Sequence, residues 1–272
     1  GQAGPEAYVE IRADAGLEVI AVADHDTFAG VARADLEARA RGLVLVPAME
    51  VTSHIHFGTE DAEQIHILAY FPPSMLADGS LEQSSLARRA ADLHRRWRDH
   101  VLGWVEELPA WEREALDPDS LRALTGAAFP ALQSMIDLVH ARNRLLSTLF
   151  HAHHRHFWDD PALFGWSPEQ AIEQIRADGA LDVVAHPGRV RDKARMDRVL
   201  DYAAGIEVYT SRHRDNVAAA FRARAEADGK HWTASTDDHQ RAAYAPPPHG
   251  TPRATVERIV DGDHCREVTA VA

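Results

Sequence analysis

The stretch Val19-Ile-Ala-Val-Ala-Asp-His-Asp-Thr27 decides the fold. A short apolar run, Val19 to Val22, ends abruptly in Asp24, His25 and Asp26. Polar side chains emerging at the carboxyl end of a buried strand are how an α/β barrel delivers ligands to one face. Two later segments repeat the pattern. Val183-Val-Ala185 runs into His186-Pro-Gly-Arg189, and Trp232-Thr-Ala234 runs into Ser235-Thr-Asp-Asp-His239. Three strand ends carrying His and Asp point to one shared metal site.

Working outward, Pro5 opens a helix that closes at Gly16, a strand covers 17–23, and a helix covers 28–41 with Gly42 as its stop. Leu43 to Val46 begins a buried strand reaching Glu50, residues 58–63 are turn-like, and Ile65 to Tyr70 is a further strand. This alternation predicts a parallel sheet or barrel. The middle differs. Leu86, Ala90, Leu93, Trp97, Val101, Trp104 and Leu108 fall at spacings of three and four, one face of a long amphipathic helix. Leu132, Met135, Val139, Leu146 and Leu149 predict another. Residues 80–165 therefore read as a helical insertion between barrel segments 1–79 and 166–272, with its tryptophans serving as core. Alternation resumes at Ser167-Pro-Glu-Gln170, where Ser caps, Pro takes the first helical position and Gln completes a capping box. Strands at 181–185, 205–209 and 231–235, helices at 192–203 and 213–228, and a last short element at 254–260 follow.

The bulk properties fit an ordinary globular chain of 272 residues. No apolar run approaches the roughly 20 residues that cross a membrane. The single cysteine, Cys265, excludes an internal disulfide framework and an all-thiolate zinc site, and a reducing cytoplasm is the simplest home. A formal charge of -13 repels long duplex nucleic acid but leaves a small phosphorylated substrate open, because divalent cations offset charge locally.

Each chemistry-bearing residue has a structural alternative. His25 reads as a ligand for zinc, iron or manganese, with Asp26 or Thr27 capping the helix that follows. Glu50, after a buried strand, is costly to desolvate unless paired, and can bridge two cations about 3.5–4 Å apart. His66 lies inside an apolar strand, where a satisfied core histidine is the alternative. His54 and His56 share a strand face with Glu50 but read as a solvated hairpin. In His186-Pro-Gly-Arg189 the turn lets His186 and Arg189 point toward one pocket, and the Arg189 fork suits phosphate, with a surface salt bridge as the alternative. Asp237 and His239 suit one metal cluster, with an Asx-type turn as the alternative, and Asp237 can serve as base. His213 can reach phosphate or protonate a leaving group. His151, His153, His154 and His156 read as a solvated helix end.

Together, Ala23-Asp-His-Asp-Thr27, Pro47-Ala-Met-Glu50, His66-Ile-Leu-Ala-Tyr70, Ala185-His-Pro-Gly-Arg189, Gly205-Ile-Glu-Val208 and Ser235-Thr-Asp-Asp-His239 resemble the polymerase and histidinol phosphatase (PHP) family of metal-dependent phosphoesterases. The insertion resembles that of stand-alone bacterial members acting on nucleotides and short RNA. The resemblance implies a distorted, TIM-like (β/α)7 barrel with up to three Mn, Fe or Zn ions. It implies that His25, Glu50, His66, His186, Asp237 and His239 are ligands, with Arg189 and His213 near the phosphate. The family opens with a strand ending in Asp-Leu-His-x-His-Ser. This chain starts at Gly1-Gln-Ala-Gly-Pro5, so the expected barrel lacks that strand and its two histidines, by truncation or true absence.

The leading expectation is hydrolysis of phosphate monoesters or terminal phosphodiesters, with 3′,5′-nucleoside bisphosphates or short RNA 5′ ends favoured by resemblance. An amidohydrolase-like carbon–nitrogen hydrolase is the second. A degenerate barrel that binds metal or a partner without turnover is the third. The metal, the exact substrate and the oligomeric state stay open.

Overall fold

The computed structural model describes residues 4–107, 110, 160–237 and 249–263. The chain divides into two compact units, residues 1–88 with 166–272, and residues 89–165.

The first unit is built on one six-stranded sheet whose strands lie in sequence order. Helix α1 (Pro5–Asp14) precedes β1 (Val19–His25), α2 (Val31–Ala40) and β2 (Val44–Ile55). Then come β3 (Glu63–Tyr70), α3 (Pro73–Ala77) and α4 (Ser85–Glu107), which passes into the second unit at Arg89. The second unit also holds α5 (Pro161–Phe164). The first unit resumes with α6 (Pro168–Ala177), β4 (Leu181–Val184), α7 (Lys193–Tyr202), β5 (Gly205–Tyr209), α8 (Asp215–Ala227), β6 (His231–Ala234) and α9 (Arg253–Asp261).

The sheet is mixed, not parallel throughout. β1 and β2 run parallel, β3 is antiparallel to both β2 and β4, and β4, β5 and β6 run parallel. The reason is the connection. Only seven residues join Ile55 to Glu63, too few for the crossover of a dozen or more that a parallel pair needs. This reversal matters for the site. Because β3 runs the other way, its amino-terminal half, carrying His66, lies beside the carboxyl ends of β2 and β4. Thr52 is the register partner of His66, and Ala185 donates its N–H to the His66 carbonyl.

Period-two alternation sets the inner face. Val46, Ala48, Leu68, Tyr70, Leu181, Val183 and Ala185 form its apolar floor, with Ile259 of α9 buried against them and Val19, Ala21 and Ala23 packed alongside. Continuing outward along the same registers, β1 ends in His25 and β2 reaches Glu50, which are direct register partners. The strand pattern thus places an apolar layer beneath a polar one.

Local details follow from residue chemistry. Ser167 caps α6 through a complete capping box with Gln170, and Ala171, Ile172 and Ile175 form its buried stripe. α4 begins against Asp178, whose carboxylate accepts the N–H groups of Ser85 at 3.0 Å and Leu86 at 2.7 Å. These are two of the donors that a helix start leaves unsatisfied. Asp178→Ala is expected to lower stability by about 1 kcal/mol, as loss of a capping side chain does, and Asp178→Asn by less. Urea denaturation of the three proteins checks this, and an unchanged midpoint for Asp178→Ala contradicts it.

Two readings are corrected. Asp26 and Thr27 do not cap α2, whose N-cap is Gly30 without a side-chain bond. Asp26 is instead buried at φ 51° and accepts the Thr52 N–H at 2.9 Å, tying the ends of β1 and β2 together. β2 also continues to Ile55, so His54 is buried against Phe57 instead of lying in a solvated hairpin. No helix among the described residues is long and apolar enough to cross a membrane. His151, His153, His154, His156, Cys265 and the predicted helix around 132–149 lie outside the described residues.

Candidate metal centre

Three imidazoles converge on one buried carboxylate. Glu50 faces His66 Nδ1 at 2.9 Å and His186 Nε2 at 3.1 Å through Oε1, and His25 Nε2 at 3.7 Å through Oε2. Ligand atoms of His25, Glu50 and His66 all lie within 4.8 Å of one another. His66 Nδ1 and His186 Nε2 are 3.4 Å apart, both aimed at the same oxygen. That oxygen can accept an N–H from each ring when no cation is bound. A set of three ring nitrogens and one carboxylate suits Zn, Fe or Mn, so the residues fit a divalent cation.

The electrostatics agree. Burial opposes ionisation of Glu50, but the His25 and His66 charges and the hydrogen bonds from His186 and His66 outweigh it and hold the carboxyl well below its usual range. His186 is pulled down by burial and pushed up further by Glu50, so its net shift is upward. Each group is stabilised in its charged form by the other, which leaves the site an anion ringed by imidazoles.

Strand ends here carry unusual backbone. Asp26, His186 and Asp237 have φ of 51°, 31° and 44°, left-handed values rare outside glycine. Such conformations persist where surrounding structure fixes them, and they cluster at functional sites. Asp237 receives the Arg212 guanidinium at 2.5 Å and, with Glu50 and His186, lines a cavity of about 820 Å³. That cavity continues past Tyr8 and Arg12 of α1.

The structure thus brings His25, Glu50, His66 and His186 together, with Asp237 beside them. Arg189 lies exposed on the turn after β4. His213 stands behind that turn: its Nδ1–H donates to the Val208 carbonyl at 2.9 Å, and its Nε2 accepts the Gly188 N–H at 3.1 Å. Burial lowers the His213 pKa, which favours this neutral form. Asp238 and His239 lie outside the described residues.

Sequence reasoning gave no role to three residues that shape the site, Glu207, Arg212 and Ser235, and gave Asp26 a different one. Glu207 had a readable signal, an acidic residue within the apolar strand Gly-Ile-Glu-Val. It is 2% exposed, and burial raises its pKa to about 7. Arg212 carried no signal, because its pairing with Asp237 depends on the loop after β5.

No family model matches the chain. A 54-residue segment is 41% identical to an uncharacterized protein of Methanocaldococcus jannaschii, covering 20% of this chain and 32% of that one. Among solved structures, a "putative metal-dependent phosphoesterase" of Bifidobacterium adolescentis superposes with a TM-score of 0.64 at 22% identity, over 96% of this chain and 92% of that one. An amidohydrolase of Chromobacterium violaceum, solved with bound sulfate and no metal, gives a TM-score of 0.64 at 20% identity, over 95% and 92%. The fold of the described residues is therefore shared with both.

Proposed function

We propose that this chain is a divalent-metal-dependent hydrolase of phosphate esters. The observation that carries the reading is Glu50, which turns one oxygen toward His66 and His186 and the other toward His25. A carboxylate that turns its two oxygens to different partners can serve two cations. Bound divalent cations, two or three in number and drawn from Mn, Fe or Zn, would supply Lewis acidity toward a phosphoryl oxygen and toward water. His25, Glu50, His66, His186 and Asp237 would hold them, with His239 as a further ligand.

The chain's own residues do the rest. Asp237, held by Arg212, accepts the proton released from water. Arg189 meets the phosphate with a planar fork. His213 serves the phosphate chiefly by fixing the Gly188 turn beside Arg189, since its acceptor nitrogen already faces that amide. Small nucleotides such as 3′,5′-bisphosphates, or short RNA 5′ ends, fit the net charge of -13 better than long duplexes.

Carbon–nitrogen hydrolysis is the second reading, favoured by the name of the Chromobacterium neighbour and by a donor set that serves either chemistry. The deciding experiment measures inorganic phosphate released from a nucleoside bisphosphate with Mn²⁺, alongside amide cleavage. Phosphate release without amide cleavage is expected, and His186→Ala should lower it at least about 100-fold. Unchanged turnover in His186→Ala would sink the reading. Fewer than two bound ions with no phosphate release would leave a metal- or partner-binding barrel.

A further inference from the structure

We propose that Glu207 is a positioning residue that clamps the backbone of His186 and the end of β6, thereby setting the metal-binding geometry. This rests on the metal-centre reading above and goes beyond it. His186 sits at φ 31°, ψ 52°, a left-handed conformation that a non-glycine residue adopts only when held there. What holds it is on the adjacent strand. Glu207 Oε2 accepts the His186 N–H at 2.8 Å. Its other oxygen, Oε1, accepts the Ser235 hydroxyl at 2.5 Å.

Those two contacts reach the two strand ends that carry the site's outer members. His186 follows β4, and Ser235 lies two residues before Asp237. The Ser235 N–H is itself bonded to the Tyr209 carbonyl at 2.8 Å, so β5 holds this segment twice. The turn beyond His186 is held by a matching device, since His213 accepts the Gly188 N–H. The fit there is close: a β-carbon on Gly188 would lie 2.9 Å from the His213 ring. Two side-chain acceptors from β5 and its loop therefore fix the backbone from His186 to Arg189.

A buried carboxylate is expensive to desolvate and is kept where its acceptors are needed. The contacts of Glu207 are with backbone and hydroxyl donors, while the ring of His186 is directed at Glu50. The outer partners of metal ligands orient those ligands, and losing one commonly weakens metal affinity by about 10–100-fold. Glutamine can reproduce both bonds, with its oxygen facing the His186 amide and its NH₂ donating to Ser235. Methionine has similar length but no comparable acceptor.

The test uses the full chain with Glu207→Gln, Glu207→Met and Ser235→Ala. Mn²⁺ affinity and stoichiometry are measured by calorimetry, and hydrogen exchange of the His186 amide is followed in the metal-free proteins. Expected are near-wild-type affinity and slow exchange in Glu207→Gln, with about 10–100-fold weaker binding and fast exchange in Glu207→Met. Ser235→Ala should weaken binding less than Glu207→Met and leave the His186 amide protected. If Glu207→Met fails to fold, Glu207→Gln decides alone: loss of an ion and of affinity there makes Glu207 a ligand and overturns the clamp. Wild-type affinity and exchange in Glu207→Met overturn it equally. Absence of Mn²⁺ uptake by the wild-type chain defeats the metal-centre reading instead, and amide exchange in the variants still decides whether the clamp exists.

Discussion

Glu50→Ala is expected to abolish tight divalent-cation binding and, with it, any hydrolysis the centre supports. Glu50 is 8% exposed, and it is the carboxylate on which His25, His66 and His186 all converge. Neutral imidazoles alone compensate none of a cation's charge. Residues one step removed from a metal already change affinity by about 10–100-fold, so losing the shared carboxylate should cost more than about 100-fold. Glu50→Gln separates charge from shape. It keeps the volume and one acceptor oxygen but cannot offer two anionic oxygens to two cations, so its affinity should fall nearly as far as that of alanine. Mn²⁺ titration, with cooperative melting as the control for folding, reads this directly. Wild-type stoichiometry and affinity in Glu50→Gln would show that Glu50 is only a core pairing partner for histidine.

Much of this centre was legible because a barrel-like sheet writes its site at strand ends. His25 ends β1 and His186 follows β4, each after an apolar run, whereas Glu50 follows such a run inside β2, which continues to Ile55. His66 was harder, since it lies inside its strand at no visible end. Its place follows from the antiparallel turn of β3, which exchanges the strand's two ends, and the shortness of the 56–62 connection was the available clue. Asp26 was misread because an Asp before a helix has a local use as a cap, whereas the bond it makes goes to Thr52 on the next strand. A local rule cannot weigh a contact 26 residues away. Glu207 and Arg212 escaped for the same reason: their partners, His186, Ser235 and Asp237, come together only when the strands align.

The buried carboxyl of Glu207 also makes a sharp prediction for the metal-free protein. Its folded pKa is raised to about 7 from 4.5, chiefly by burial. A group whose folded pKa exceeds its unfolded one contributes stability that is fully present below the unfolded value. That stability is lost as pH rises through the folded value. Between pH 4.5 and 7 the folded chain holds a proton that the unfolded chain releases, so stability falls as pH rises across that window. The contribution amounts to about 3 kcal/mol. His186, also raised, acts in the same direction from pH 6.5 upward. His213 is lowered, so it opposes them: its share is present above pH 6.5 and is lost as pH falls. Glu50, held well below 4.5, loses its share only at more acidic pH. The clean measurement is therefore a difference. Urea unfolding in the presence of a chelator, at pH 5 and pH 8, should show Glu207→Gln gaining about 3 kcal/mol on the wild type at the higher pH. Parallel pH profiles for the two proteins would mean that Glu207 titrates normally. Bound metal should reverse the slope, because the ligands must be deprotonated to hold a cation and metal affinity rises with pH. A chain that is more stable in acid when empty and more stable in base when loaded would carry the thermodynamic mark of a centre built for cations.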